Sequence, residues 1–198
     1  MTECSWYGID YGSKVAGTTV LAGCGEEKTI SFRQTKKKQD ADAFLVSWAE
    51  RQAQPGTLFL DAPLSLPRVY REGPPHEDYF YRAADRSVQA MSPMFLGGLT
   101  ARAMRLRYVL ENLGWTVHEV YPGYLARLWT LKAFGYKKNK TEIPAVVEQI
   151  GQRLPYPLAS VPVNWHQVDA LLAFCTGYRF YRNQHEQFGD PEEGLILV

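Results

Sequence analysis

The chain has little cysteine, almost no net charge and no long apolar run, and each shortage removes a class of protein. Cys4, Cys24 and Cys175 are odd in number and form no Cys-x-x-Cys pair. That spacing supplies neither a disulfide framework nor a structural zinc site, and it suits a reducing compartment. Formal net charge is +1 over 198 residues, so no global basic field is present to hold nucleic acid unaided. No apolar stretch approaches a membrane span and no basic-then-apolar segment opens the sequence, which predicts a soluble, cytoplasmic protein without membrane contact. Internal repeats, low-complexity tracts and a Gly-x-Ser-x-Gly elbow are also missing. Neither His118 nor His166 sits near a nucleophile in sequence, so Ser/His/Asp chemistry fits poorly, and both histidines read as structural.

What is present is a core. Hydrophobic residues make up 45% and aromatics 13%, enough for a single domain over residues 1–198. Basic residues cluster at Lys36-Lys37-Lys38, at Arg102, Arg105 and Arg107, and at Lys137-Lys138-Asn139-Lys140. Such clusters are more often solvated faces than phosphate contacts.

Apolar patterning predicts strands over 5–10, 17–23 and 28–34, joined by turns too short for anything but antiparallel pairing. Asp40 reads as the N-cap of a helix reaching Ala53. The run "TLFLD" (57–61) reads as a strand covered on both faces, and because it follows a helix it can pair in parallel with the first strand. A proline-rich, irregular insertion follows at about 62–97, with helical character over 77–89. Leucine spacing predicts a helix over 98–113 closed by Gly114, then a strand over 116–122. Two helices are predicted over 124–134 and 141–153; Asn164 and Gln167 resemble a capping box opening a last helix to Tyr181. The tail from Gln187 carries no clear signal. This order predicts an α/β fold on a mixed five-stranded sheet, three antiparallel strands then two parallel ones, flanked by helices.

Four acidic residues stand out against that frame. Asp10 ends the first strand, Asp61 the fourth, and Glu119 lies near the end of the fifth. Asp10 taken alone reads more readily as a turn-former accepting backbone N–H bonds than as a ligand aimed out of the sheet. Asp169 sits inside the apolar run "VDALLAFC". There it is either an acid accepting backbone bonds near a helix start or a carboxylate that requires a cation or a raised pKa. Acidic oxygens converging at a sheet edge, with no thiol or imidazole cluster, suit Mg²⁺ or Mn²⁺. A pair of such ions serves in-line displacement at a phosphodiester.

The motifs "GIDYGSK", "FLDAPLSLP", "RAADRSVQA", "HEVYPG" and "HQVDALLAF" occur in that order between Tyr7 and Tyr181. Together they resemble the predicted RNase H-like nuclease family catalogued as domain of unknown function 429, and are similar at greater distance to RuvC-like and YqgF-like resolvases. The resemblance implies an RNase H-like fold, metal ligands at Asp10, Asp61 and Asp169, and a further catalytic acid at Glu119. Asp85-Arg86 matches an Asp-Arg pair of that family; Ala84 stands where a cysteine is common, so no redox role carries over.

The leading expectation is therefore a metal-dependent nuclease with Lys14, Arg86 and Lys140 as phosphate contacts on DNA or RNA. One alternative is an ATP-binding module of the actin-like and sugar-kinase type, because "GIDYGSK" is similar to their phosphate loop. Such proteins use two copies of the domain, which here would require a homodimer. Another is a non-catalytic binding module that stacks bases or a partner on Tyr70, Tyr79, Phe80 and Tyr81.

Overall fold

The computed structural model describes residues 5–25 and 27–198. Strands β1 (Trp6–Asp10), β2 (Val20–Cys24) and β3 (Ile30–Gln34) form an antiparallel meander. Helix α1 (Ala41–Glu50) then crosses to β4 (Thr57–Asp61), which pairs in parallel with β1. Asp40 is the N-cap of α1 as the sequence predicts: its Oδ1 accepts from Asp42 N at 2.9 Å and Ala43 N at 3.1 Å. Strand β5 (Thr116–Glu119) pairs in parallel with β4, giving a five-stranded sheet in the order β3-β2-β1-β4-β5. The second strand starts at Val20 rather than at residue 17.

The insertion between β4 and β5 holds α2 (Val69–Glu72), α3 (Ala83–Val88) and α4 (Pro93–Leu96), and leads into α5 (Gly98–Asn112). Helical character predicted over 77–89 is confined to α3 plus its cap. Asp78 Oδ1 accepts from Phe80 N and Tyr81 N at 3.0 and 2.9 Å, offering the backbone a turn in place of a helix. After β5 come α6 (Pro122–Leu128), two 3₁₀ turns (Leu131–Phe134 and Lys140–Glu142), α7 (Ile143–Gly151) and α8 (Trp165–Tyr181). The helix expected over 124–134 breaks at Thr130, whose φ of 55° is left-handed. The helix expected over 141–153 opens as a 3₁₀ turn and becomes α-helical at Ile143, followed by Pro144 in the first turn.

The tail without a sequence signal forms a hairpin, β6 (Gln187–Asp190) and β7 (Gly194–Leu197). It lies against α3 and β5, and Leu197 bridges to Val120. Of the three cysteines, Cys24 and Cys175 are buried and Cys4 lies outside the described residues. No described helix is long and apolar enough to cross a membrane.

Alternation along the strands divides the core in two. Trp6, Val20, Ala22 and Phe59 face α6, α7 and α8, whereas Ile9, Leu21, Leu58 and Leu60 face α1 and α5. Two glycines set how closely α8 approaches the sheet. A Cβ on Gly8 would stand 2.1 Å from Phe174 N and 2.4 Å from Ala170 O; one on Gly177 would stand 2.4 Å from the Trp6 ring. Backbone therefore meets backbone where α8 crosses β1, and the first turns of α8 are held at the C-terminal end of that strand.

Candidate functional site

Strand parity decides which acids meet. Asp10 shares a face with Trp6 and Gly8, and Asp61 shares one with Phe59, so both carboxylates leave the sheet on the α8 side. The parallel register sets Asp10 directly opposite Asp61, on strands about 4.8 Å apart. Asp169 completes the group from the second turn of α8, pressed onto β1 by the Gly8 approach.

Each of these three acids meets a different environment. Asp10 Oδ2 lies 2.8 Å from His166 Nδ1, and that hydrogen bond, stronger than the opposing cost of burial, raises the imidazole pKa. Asp169 Oδ1 accepts from the Tyr136 hydroxyl at 2.5 Å, and its Oδ2 lies 2.8 Å from Lys137 Nζ. Burial still raises the Asp169 pKa, with the charge of Asp10 adding to the effect and Lys137 opposing it. Burial pulls Lys137 down, but Asp169, Asp61 and Asp10 outweigh it and raise the ammonium pKa. Asp61 receives no hydrogen bond or ion pair from any described residue. Burial first, then the charges of Asp10 and Asp169, push its pKa well above the ordinary carboxylate range.

The helix-start alternative for Asp169 does not hold. Asn164 is the N-cap of α8, its Oδ1 accepting from Gln167 N at 3.0 Å. Gln167 Oε1 reaches back to Val163 N at 2.9 Å, one residue beyond the usual box partner. Asp169 takes side-chain partners instead.

Glu119 belongs to another network. It is paired with Leu60 in the β4–β5 register, one residue out of phase with Asp61, and it shares the parity of Val117 on the opposite face. Its Oε1 and Oε2 accept from Arg82 Nη2 and Nη1 at 2.6 and 2.7 Å, and Oε2 also accepts from Leu64 N at 2.8 Å. Arg82, fully buried, also holds Asp85 through Nε at 3.0 Å and Nη2 at 2.6 Å, and it donates to Ser65 Oγ at 2.8 Å. Burial alone would lower the Arg82 pKa, yet its two carboxylates raise it. Glu119 is raised by burial against the pull of Arg82.

The expected phosphate contacts lie outside this centre. Lys14 pairs with Asp40 at 3.3 Å beside a separate depression that also holds Arg102 and Arg105. Arg86 bonds Asp78 through Nε at 2.8 Å and lies 4.6 Å over the Tyr81 ring. Lys140 is exposed at the head of the second 3₁₀ turn. The cation beside the acids is Lys137, from the same basic cluster as Lys140. Sequence reasoning read it as part of a solvated cluster and His166 as structural, and did not single out Tyr136 or Arg82. One signal was available for His166: it precedes Asp169 by three residues, which puts both on one helix face. Arg82, three residues before Asp85, carried the same spacing.

Asp10, Asp61 and Lys137 line a cavity of about 360 Å³ whose other walls include Met91, Leu96, Leu99 and Tyr121. Among the described residues no group of three His, Cys, Asp or Glu side chains stands ready-made to hold a metal. Asp169 is held by Tyr136 and Lys137. The donor chemistry nevertheless fits a hard divalent cation: carboxylate oxygens, one of them on the half-buried Asp61, which no described residue hydrogen-bonds or pairs within ion-pair distance. Compared with protein-family profiles, curated proteins and solved structures, the chain finds no match in any of the three.

Proposed function

We propose that this chain is an RNase H-like, divalent-metal-dependent nuclease that hydrolyses phosphodiesters of nucleic acid in the cytoplasm. Three antiparallel strands followed by two parallel ones, with acids at the C-terminal ends of β1 and β4 and on the closing helix, support the fold assignment. The observation that carries the reaction is Asp61: a carboxylate repelled by the charges of Asp10 and Asp169, lining a cavity and given no donor by the described residues. A protein that needed this charge only for its fold would have paired it, as it paired Glu119.

Asp10, Asp61 and Asp169 would hold Mg²⁺ or Mn²⁺, which when bound supplies the Lewis acidity that stabilises the attacking and leaving oxygens of a phosphodiester. His166 orients Asp10 through Nδ1. Lys137 balances Asp169 and offers the ammonium nearest the scissile phosphate. Arg86 and Lys140 serve flanking phosphates. Glu119 fixes the wall of the cavity through Arg82. The ATP-binding alternative has less support, because the Gly12 N–H donates to Thr19 Oγ1 at 3.0 Å and its carbonyl accepts from Arg102 at 3.2 Å. The Gly12 N–H is thereby taken and is not free to meet a phosphate.

Thermal melting with and without Mn²⁺, paired with hydrolysis of labelled oligonucleotides, tests the reading. Mn²⁺ should raise the melting temperature by mass action, and Asp61→Asn should remove most of that rise. The same variant should lower hydrolysis at least a hundredfold, roughly 2.7 kcal/mol in the barrier. A metal response or a hydrolysis rate unchanged by Asp61→Asn overturns the proposal.

A further inference from the structure

The acidic cavity is small and mostly apolar, an unusual setting for the phosphodiester of a paired, stacked duplex. Its 360 Å³ lies at the low end for a small-molecule pocket, with room for one nucleoside-sized group. Its lining combines Asp10 and Asp61 with Leu96, Leu99 and the Tyr121 ring, apolar surface suited to a single base. Asp85 and Ala90 line both this cavity and a shallow depression formed with Tyr81 and Arg86. Beyond that depression Tyr81 meets Phe95 edge-on at 6.0 Å, and Phe95 lies tilted against Phe80 at 5.6 Å. Phe80 and Phe95 are 52% and 63% exposed, and neighbouring Met91, on the cavity wall, is 59% exposed. Apolar surface of this kind is rare on a chain that has ample core to bury it. An acidic pocket, a guanidinium at its rim and a ring platform beyond it therefore follow one another across the insertion.

Resting on the nuclease reading, we propose that the substrate is single-stranded nucleic acid. One unpaired nucleotide enters the cavity with its base against Leu96, Leu99 and Tyr121 and its phosphate at Asp10 and Asp61. The adjoining base stacks on Phe95 and Phe80, and Arg86 meets the phosphate between the two. Charge complementarity supports this order: a cation-requiring acidic site beside Lys137 for the scissile phosphate, a guanidinium for the next, and uncharged rings for the bases. The net charge of +1 agrees, since tight duplex binding draws on many more phosphate contacts than this surface offers. A duplex would have to unpair and unstack a nucleotide to fill the same cavity, a penalty that a single strand does not face.

Fluorescence anisotropy with fluorescein-labelled oligothymidylate, alone and annealed to oligoadenylate, tests the inference. Wild-type protein in Ca²⁺, a hard cation that takes oxygen ligands in a looser geometry, is used so that the site stays intact and hydrolysis does not intervene. The single strand should bind at least tenfold tighter than the duplex, and adding Phe95→Ala should weaken single-strand binding roughly tenfold. Phe80→Ala serves as a second variant, and unchanged melting temperatures certify that both fold. Equal affinity for the two forms, or single-strand affinity unmoved by both ring substitutions, overturns the inference. Wild-type protein in Mn²⁺ separates this from the nuclease reading. Hydrolysis of both forms at equal affinity leaves the nuclease and removes the single-strand site. A single-strand preference without hydrolysis leaves the site and removes the nuclease.

Discussion

Around one cavity, the Arg82 side chain donates four hydrogen bonds of 2.6 to 3.0 Å to Asp85 and Glu119, whereas Asp61 meets no donor among the described residues. Asp85 and Glu119 are buried, Asp10 and Asp61 are half-buried, and all four line the same space. In the first, a guanidinium fork matches two carboxylates in plane, and the charge of the group is settled by the fold itself. In the second, His166, Lys137 and Tyr136 bond Asp10 and Asp169 but leave Asp61 exposed to their repulsion. A completed network holds a wall in place. An incomplete one is a site that a further cation can complete.

The comparison breaks most readily at Arg82. Replacing it by Met leaves Asp85 and Glu119 buried and uncompensated, so unfolding in urea should show a loss of about 3–5 kcal/mol. A loss below about 1 kcal/mol would mean that the network carries little of the structure and that the contrast with Asp61 is false.

A second test raises the pH of the metal-free protein. A carboxylate whose folded pKa lies above its unfolded value destabilises the fold once it ionises. The Asp61 contribution is therefore favourable at acid pH and is lost as pH rises from the ordinary carboxylate value through the raised one. His166, also raised, loses its contribution in the same direction as pH climbs through its folded value. Asp61→Asn isolates the first effect: between about pH 5 and pH 8 its melting temperature should fall less than that of the wild type. Parallel curves would show that Asp61 is not strained.

Tyr136→Phe sharpens the contrast from inside the incomplete set. Losing a hydrogen bond to a charged oxygen should cost about 1.5 kcal/mol without metal, while the stabilisation by Mn²⁺ should grow because Asp169 is released toward the ion. A smaller metal response in this variant would place Asp169 outside the site. The smallest effect is expected at Asp40, an acid whose work is purely local. Asp40→Ala should cost about 1 kcal/mol through the lost cap, with the metal response unchanged. A changed response would show that stability and metal binding are entangled throughout the fold.

Much of the sheet was legible because its strands announce themselves locally. Residues 58–60 are continuously apolar and follow a helix, which specifies a buried parallel strand; short joins specify the antiparallel meander. The C-terminal hairpin was not legible, because its strands are held partly by α3 and β5 rather than by their own pattern. Within the candidate site, Asp10 and Asp61 could be read as neighbours because strand order and strand ends together imply adjacency. The separation of Glu119 could not, since it depends on a one-residue phase between β4 and β5 that only their pairing fixes. The partners followed the same division. Tyr136 and Lys137 both arrive from the turn after the first 3₁₀ element, beyond the helix the sequence predicts to Phe134, with Lys137 in what reads as a solvated basic cluster.

The sequence by itself determined the alternation that turns Asp10 and Asp61 to one side, the caps that start α1 and α8, and the burial of a charged residue in an apolar helix. These follow from backbone geometry over a few residues, where the local period and the local hydrogen-bonding groups decide the outcome. Tertiary structure alone decided which buried acids were neutralised. Arg82 and Glu119 stand 37 residues apart, and His166 and Asp10 stand 156 apart. Whether a carboxylate keeps or loses its counter-charge depends on distances of a few ångströms across such separations, set by the register of β4 on β5 and by the close approach of α8 at Gly8.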